Sequence, residues 1–497
     1  MAILQRKNPA FRRNKGRLRI PPAVKKIIGV LLLAALAIGI SCVRPERRRP
    51  QTYEREGMRA GSLTIFFTGG TLGALKPCGC SGGQLGGLDR RNAVLSSVEQ
   101  PSRLIIDTGS LVAQSSQQNL IKFNIIIQSF NQLGYDVINL TDLDISIARQ
   151  EGLLEGLGVM FHCITAESIQ DNLPAKFTKR FTINGKPVDL TVAVARTQEQ
   201  INRLAGLFPA PDANSGVPVN ILIAKQAEPN AVAEISNLNL VDCLIIASQF
   251  DEPTLISDPN ARPLVISQGR LGKYVGKIQV TLPLSSGKPR LSFSSVAVTE
   301  DLPQHQPLVE LYKDYQRLVR DANLLEEYPR FVLPENLEYV GSSSCKLCHD
   351  YEYEKWLTST QVFIPGLSRQ AAPDSSHANA YATLEQVNSH YDPECVICHV
   401  IGMQYYTGFV DPNKTPEMKD VGCENCHGPG SEHIRSLGAA ETTGPMSTCT
   451  DCHTAEHSAE YAGHKEQYFE KTIHWRQPLS RTRVTEPNVH PDNLLSR

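Results

Sequence analysis

One pentapeptide, Cys-x-x-Cys-His, occurs four times in the last third of the chain, at residues 345–349, 395–399, 423–427 and 449–453. Two thiols at this spacing can form thioethers with the vinyl groups of a haem, and the adjacent imidazole can bind the haem iron. Zinc sites and disulfide frameworks also use paired cysteines, but four repeats that each end in histidine favour haem. The motifs predict four covalently bound haem c groups. The predicted attachment residues are Cys345, Cys348, Cys395, Cys398, Cys423, Cys426, Cys449 and Cys452, and the predicted proximal iron ligands are His349, His399, His427 and His453.

The composition of the chain sets few other limits. Eight of the thirteen cysteines lie in the four motifs, so the chain is not a disulfide framework. Its 497 residues are long enough for two or three domains, and a net charge of −1 gives no reason to expect nucleic acid as a partner. Cys163 and Cys243 fall in apolar runs, residues 159–164 and 241–246, and are predicted to be buried in strands.

The amino terminus indicates the compartment. Residues 1–26 form a basic tail, with nine Lys or Arg from Arg6 onward, and residues 27–43 are an uncharged apolar run. This pattern predicts a cytoplasmic tail followed by a signal-peptide core or a membrane anchor. The segment before Cys42 resembles the end of a bacterial lipobox, so a lipoprotein is the alternative to an anchor. Both place the protein on the periplasmic side of the cytoplasmic membrane, where c-type haem is attached.

The motifs need a framework, and the residues before them predict one. Residues 62–301 alternate short apolar β-rich runs with helical patterns, which indicates an α/β domain with a largely parallel inner sheet. Residues 181–195 and 275–298 read as antiparallel pairs around Asn184-Gly185 and Ser286-Gly287. Residues 302–335 are predicted to be a helical linker, with the helix at 306–328. The haem domain is predicted at 339–480, followed by a tail at 481–497.

The α/β region resembles the 5′-nucleotidase type of metallophosphoesterase. The stretches that carry the resemblance are LTIFFTGG (63–70), GGLDRR (86–91), IDTG (106–109), GYD (134–136) and QGRLGKYVG (268–276). The two-metal centre of that family uses Asp, His and Asn-His-Glu ligands to activate water. Most of those ligands are absent here: Gly70, Leu72, Ser110, residues 142–144 and residues 247–250 occupy the corresponding positions. The resemblance therefore implies an inactive domain that serves as a scaffold or docks a partner, with phosphoester hydrolysis as an alternative.

A glycine-rich loop with two thiols, Cys78 and Cys80, follows the first predicted strand. Three interpretations remain open. The thiols can hold a soft metal together with Asp107, Asp142 or Asp144, they can act as a redox pair beside the haems, or they can be structural parts of a turn.

The carboxy-terminal region resembles the cytochrome c-554 family. The resemblance is carried by YVGS (339–342), Trp356, SHANA (376–380), CHVIG (398–402), GCENCHGPGSEH (422–433) and IH (473–474). It implies a mostly α-helical tetrahaem cytochrome domain in which His377, His433 and His474 are distal iron ligands. Three distal ligands for four irons leave one iron open, and the resemblance points to the iron of His399. The other candidates for distal ligands are His390, His457, His464, His490, Met403 and Met446.

The predicted function is electron transfer by a membrane-tethered periplasmic multihaem cytochrome, with periplasmic or membrane redox partners. Its amino-terminal segment would also contact the cytoplasmic membrane. The alternative is redox catalysis on a small nitrogen compound at an open haem, because an iron with a vacant axial position can bind such a molecule.

Overall fold

The structure is a computed structural model. It describes residues 61–77, 83–166, 173–208, 215–224, 229–283, 288–358, 377–442, 449–454, 457–458 and 461–472. All of these residues belong to one compact unit. Among the described residues, no helix has the length and apolar character needed to cross a membrane. The predicted signal or anchor, residues 27–43, lies outside them.

Two β-sheets organise the first part of the described chain. The six-stranded sheet has the order β11-β10-β1-β2-β3-β4, and the five-stranded sheet has the order β5-β6-β7-β8-β9. The strands are β1 (Leu63–Thr68), β2 (Arg103–Asp107), β3 (Val137–Asn139), β4 (His162–Ile164), β5 (Lys176–Ile183), β6 (Lys186–Ala195), β7 (Val217–Ala224), β8 (Cys243–Ile246), β9 (Leu264–Ser267), β10 (Tyr274–Thr281) and β11 (Arg290–Ala297).

Most neighbouring strands are parallel, as the alternation of strand and helix predicts. Strands β1 to β4 are parallel to one another, and β10 pairs antiparallel with β1, with Leu63 opposite Val280. In the second sheet β6 to β9 are parallel, and β5 and β6 form the predicted antiparallel pair around Asn184-Gly185. The two sheets pack against each other, and apolar side chains from both form one core. Ile65 and Phe67 of the first sheet share this core with Val192 and Ile221 of the second.

Helices cover the outer faces and connect the domain to the motif region. The described helices are α1 (Leu88–Leu95), α2 (Gln117–Leu133), α3 (Asp142–Gln150), α4 (Leu154–Met160), α5 (Gln198–Asn202), α6 (Leu204–Leu207), α7 (Pro229–Asn237), α8 (Gln306–Asp321), α9 (Ser342–Cys345), α10 (Asp350–Thr358), α11 (Ala380–Gln386), α12 (Pro393–Val396), α13 (Cys423–His427), α14 (Ser431–Arg435) and α15 (Lys465–Thr472). Ser116 caps the start of α2, where its side chain accepts a hydrogen bond from the Asn119 N–H. Gly134, in the left-handed conformation, caps the end of the helix.

Helix α8 is the predicted linker helix. Leu308, Leu311, Tyr315 and Val319 lie at helical spacing and are buried, and the helix packs against α1 and α2. It ends at Asp321, seven residues before the predicted end, and Asn323 follows with a φ of 52°. A residue in the left-handed conformation cannot continue a right-handed helix, so the apolar residues after Asp321 lie in a turn.

The predicted strand at 159–164 is wrong in its first half. Helix α4 continues to Met160, and only His162–Ile164 forms a strand, β4. Val159 is 88% exposed, so its apolar character did not indicate burial in a strand. Cys163 and Cys243 are both buried in strands, as predicted.

The motif region is built from short helices and turns. Its described residues contain no strand beyond isolated bridges. One small apolar core holds it together, formed by Leu325, Tyr381, Leu384, Val396, Val400, Ile401, Met403, Phe409 and Met418. The predicted architecture, an α/β domain followed by a mostly helical region, is confirmed.

Candidate haem-binding site

A short helical turn begins each of the four motifs. Helices α9 and α12 end at or next to the first cysteine of motifs one and two, α13 contains the whole third motif, and a 3₁₀ turn at Cys449–Asp451 opens the fourth. Residues three apart in a helical turn lie on one side of it, so the two thiols of each motif point the same way. All eight motif cysteines are free thiols. This is the local geometry that two thioether bonds to one porphyrin require.

Two of the motif histidines face a second imidazole. The ring centres of His349 and His433 are 6.1 Å apart with planes 26° from parallel, and those of His377 and His453 are 6.2 Å apart. An imidazole nitrogen lies about 2 Å from its metal and about 1.1 Å from its ring centre, so two imidazoles on opposite sides of one iron have centres about 6 Å apart. Both pairs therefore have the spacing of a bis-imidazole haem iron.

Hydrogen bonds orient the imidazole rings of His399 and His433. The Nδ1 atom of His399 lies 2.6 Å from the Ala380 carbonyl oxygen, and that of His433 lies 2.7 Å from the Ala440 carbonyl oxygen. A carbonyl accepts only from a protonated nitrogen, so Nδ1 carries the proton and Nε2 keeps a lone pair for a metal. The residues present thus fit an iron ligand in both chemistry and tautomer.

His377 is prepared for the same role by burial. Its pKa is lowered to about 4, first by desolvation and then by the charges of His453 and His399. A histidine must be neutral to bind a metal, and burial favours this state at neutral pH. A backbone bond from Val421 N–H to the His377 carbonyl oxygen, 3.0 Å long, fixes its position.

The thiols show which motifs lie side by side. The Cys345 thiol donates a hydrogen bond to the Cys423 sulfur, which raises the pKa of Cys345 and lowers that of Cys423 to about 7. Cys398 and Cys452 form a similar pair. The first motif is thus adjacent to the third, and the second to the fourth, although each pair is far apart in sequence.

One buried carboxylate that sequence reasoning passed over holds this arrangement together. Glu424, inside the third motif, is 3% exposed and accepts hydrogen bonds from the N–H groups of Val340, Gly341 and Gly430. It ties the third motif to the segment before the first. The sequence does show an acidic residue between two attachment cysteines. An acidic side chain is ordinarily expected to be exposed, so nothing in the sequence predicted that this one is buried.

The second motif differs from the first and fourth. Within the described residues, no ring contact joins His399 to another imidazole. His390 packs against Tyr381 and Tyr391 and makes no ring contact with a motif histidine. His457 is near enough for its charge to lower the pKa of His399, after the larger effect of burial, but its Nδ1 lies 2.8 Å from the Thr454 hydroxyl. Met403 is buried in the apolar core. His464 is described and exposed, whereas His474, His490 and Met446 lie outside the described residues.

Hydrogen bonds within the protein occupy the described carboxylates at the end of the first sheet. Asp107 is fully buried and accepts hydrogen bonds from the Thr68 hydroxyl at 2.6 Å and the Gly109 N–H at 2.9 Å. Because the Thr68 proton is used on Asp107, Tyr135 donates to the Thr68 oxygen, and Arg91 donates to the Tyr135 oxygen. A buried chain from Arg91 to Asp107 thus lies at the end of β1 and β2. Gly272 is required beside it, because a Cβ there would lie 1.9 Å from Arg91 Nη2.

Asp144 and Asp142 are also accounted for. Asp144 is buried and accepts from the N–H groups of Ser110, Leu111 and Thr141, so it caps α3 and fixes the loop after β2. The Asp142 side chain is 67% exposed and lies 3.4 Å from Arg196. Among the described residues, no group of three or more His, Cys, Asp or Glu side chains is arranged to hold a metal. Cys78 and Cys80 lie outside them, so a metal at these thiols stays a prediction.

Comparison with known proteins agrees with both resemblances read from the sequence. The family described as cytochrome c554 and c-prime matches residues 344–428. Cytochrome c-554 of Nitrosomonas europaea is 24% identical over 157 residues, which cover 27% of this chain and 66% of that protein, slightly less than two thirds of its length.

Solved structures are similar to the amino-terminal part. The calcineurin-like phosphoesterase YfkN from Bacillus subtilis is 15% identical, covers 52% of this chain and 98% of its own, and has a TM-score of 0.41. A 5′-nucleotidase precursor from Thermus thermophilus is 16% identical, covers 55% of this chain and 61% of its own, and has a TM-score of 0.38. The chain thus combines a region similar to cytochrome c554 with a region similar to phosphoesterases.

Proposed function

We propose that this protein is a membrane-tethered periplasmic cytochrome with four covalently bound haem c groups, whose function is electron transfer. The observation that supports it most strongly is the pair of facing imidazoles, His349 with His433 and His377 with His453, at 6.1 and 6.2 Å between ring centres. On this proposal His433 is the distal ligand of the first haem and His377 that of the fourth. His474 is proposed for the third, opposite His427.

Electron transfer follows from the ligand set and from the placement of the motifs. Two imidazoles fill both axial positions of an iron, so such a haem can exchange electrons and has no position for a substrate. The adjacent thiols of the first and third motifs, and of the second and fourth, would bring the porphyrins of each pair close together. A chain of closely spaced haems is suited to relay electrons between periplasmic or membrane redox partners.

The test is to express residues 51–497 in a host with a c-type haem maturation system. Intact mass counts the haems, and electron paramagnetic resonance reports their axial ligands. A mass for four haems with low-spin signals supports the proposal. A mass for three or fewer, with all four motifs intact, would contradict it. The double variant Cys395→Ala/Cys398→Ala is the matched control and should lose one haem.

A second candidate is redox catalysis at the second haem on hydroxylamine, nitric oxide or nitrite. It is favoured by His399, which has no imidazole ring in contact with it among the described residues. An iron with one axial ligand is high-spin and can bind a small molecule. Nitric oxide added to the oxidised and reduced protein distinguishes the two functions. A high-spin signal that nitric oxide removes supports catalysis, and a spectrum that does not change supports the relay alone.

The membrane tether is proposed from residues 1–43 and has its own test. Metabolic labelling with a fatty acid, in the wild type and in Cys42→Ala, separates a lipoprotein from an uncleaved anchor. Label on the wild type alone supports the lipoprotein, membrane association without label supports the anchor, and a protein released by osmotic shock would contradict both.

A further inference from the structure

Helices α2 and α8 present polar side chains to the segment that begins the second motif. The Tyr315 hydroxyl of α8 donates to Asp392 Oδ2 at 2.7 Å, and the Gln118 amide of α2 donates to Asp392 Oδ1 at 2.7 Å. Gln118 also donates to the Tyr315 oxygen at 2.8 Å. Tyr315 is 2% exposed and Asp392 is 6% exposed, so these bonds lie within an interface closed to water.

Asp392 is the N-cap of the helix that carries Cys395. Its Oδ1 atom accepts from the Glu394 N–H at 3.0 Å, and its carbonyl oxygen accepts from the N–H groups of Cys395 and Val396. The placement of this one side chain therefore sets the start and direction of α12. Because α12 leads directly into the haem attachment turn, the contact to Tyr315 and Gln118 reaches the thioether positions through a single element.

Neighbouring contacts end on the same segment. Lys122 of α2, whose side chain is only 9% exposed, pairs with Glu394. Gln316 of α8 donates to the Val387 carbonyl oxygen at 2.9 Å and to the Ser389 hydroxyl at 3.2 Å. Together, five side-chain hydrogen bonds from α2 and α8 end between residues 387 and 394. All five hydrogen bonds therefore end on the segment that leads into the second motif.

The cluster surrounds one buried carboxyl with charged and hydrogen-bonding side chains. Burial and the nearby Glu394 raise the pKa of Asp392, whereas the hydrogen bond from Tyr315, the charge of Lys122 and the bond from Gln118 lower it. Hydrogen bonding and buried charge around a haem are levers by which a protein sets its reduction potential. A fused domain that supplies both to one motif can change that haem independently of the others.

We propose that α2 of the α/β domain and the linker helix α8 together position the second haem, with Gln118, Tyr315 and Asp392 as positioning residues that set its reduction potential. This inference rests on the proposed haem-binding function. It gives the domain a role that needs neither a metal nor a phosphoester substrate. The segment 387–394 is held from outside the haem region, so the potential of the second haem depends on a contact that a free-standing cytochrome domain would lack.

The test compares potentials in the full protein. Tyr315→Phe removes one hydroxyl, Gln118→Ala removes one donor, and Asp392→Asn keeps a capping side chain without a charge. Lys313→Met is the matched control on α8, because Lys313 is exposed and pairs with Glu310 in its own helix. Each protein is titrated spectroelectrochemically after its haems are counted by mass. The second haem is identified as the component lost in Cys395→Ala/Cys398→Ala.

We expect the potential of the second haem to shift in Tyr315→Phe and Gln118→Ala, while the other three haems and the control stay at wild-type values. The same potential should shift in Asp392→Asn, because the single amide oxygen cannot accept from both Tyr315 and Gln118. Hydrogen exchange of the amides at 394–398 should also become faster in Tyr315→Phe.

The experiment distinguishes failure of the proposed function from failure of this inference. A wild type without four haems contradicts the proposed function. Four haems whose second potential is the same in Tyr315→Phe and wild type, or moves together with all the others, overturns this inference alone. Tyr315→Phe decides the matter even if Gln118→Ala fails to fold, since it removes a single oxygen atom.

Discussion

The sharpest prediction concerns Asp107, the buried carboxyl at the end of β2. Burial raises its pKa from the ordinary value of 3.8 to about 7, against the lowering effects of the Thr68 and Gly109 hydrogen bonds and of the Arg91 charge. The folded protein therefore holds a proton on Asp107 that the unfolded chain has released above about pH 4. Stability from this group is fully present below pH 4 and is lost as pH rises through 7.

The magnitude follows from the size of the shift. A difference of about three pH units, at about 1.4 kcal/mol per unit, corresponds to about 4 kcal/mol of unfolding free energy between pH 4 and pH 8. Asp107→Asn has nearly the same shape and cannot ionise. The free energy of unfolding of the wild type relative to this variant should therefore fall by about 4 kcal/mol over that range.

The assay must report on the α/β domain, because the haem region has its own transitions. Hydrogen exchange of the buried amides at Leu104, Ile105 and Ile106 in β2, corrected for the intrinsic rate at each pH, gives the local opening free energy. Asp142→Asn is the control, since the Asp142 side chain is 67% exposed and its charge should change the profile little.

Two outcomes would refute the reasoning about Asp107. A difference that does not depend on pH would show that its carboxyl has the same pKa in the folded and unfolded states. A difference that increases with pH would show an ionised carboxylate paired with a cation, which is the behaviour of a metal ligand. The second outcome would also reopen the hydrolase alternative.

Three further predictions concern the haem region and phosphoester hydrolysis. His433→Met should raise the potential of one haem and leave three unchanged, because a methionine ligand favours the ferrous state; a spectroelectrochemical titration in which all four components stay fixed would exclude His433 as a ligand. Glu424→Gln replaces an acceptor of three backbone N–H groups with a weaker one and should lower the unfolding free energy by about 1–3 kcal/mol in denaturant titrations, whereas Glu432→Gln, on the exposed side of α14, should change it by less than about 0.5 kcal/mol. Nucleotide hydrolysis by the full chain with added divalent metals should equal that of a blank, and turnover that disappears in Asp107→Ala would contradict the assignment of an inactive domain.

The buried chain from Arg91 to Asp107 joins the ends of β1 and β2 through side chains of the protein itself. A guanidinium lies at one end of it, and the hydrogen bonds run through Tyr135 and Thr68 to the Asp107 carboxyl. The strands keep their parallel order because their cores are apolar and do not depend on this end of the sheet.

Much of the secondary structure follows from local sequence. The alternation of apolar β-rich runs with helical patterns over residues 62–301 predicted the α/β architecture and its largely parallel pairing. The errors occur where local pattern and tertiary context disagree. An exposed Val159 extended an apparent strand into α4, and a left-handed Asn323 ended α8 early. The division of the strands into two sheets was not predicted, because an apolar run does not indicate which other strand it pairs with.

The haem attachment residues and their adjacent histidines are predicted by the sequence alone, since thioether chemistry needs only two thiols and an imidazole within five consecutive residues. Which histidine faces which motif depends on the tertiary structure. His349 and His433 meet across 84 positions, and the resemblance to a family implied that His433 is a distal ligand but not which motif it would face. The environment of Asp107 and the hydrogen bonds that hold Asp392 were not predictable from any motif. Burial and hydrogen-bond partners come from packed elements that are distant in sequence, so whether a carboxylate binds a metal, caps a helix or tunes a haem is decided only when the chain has folded.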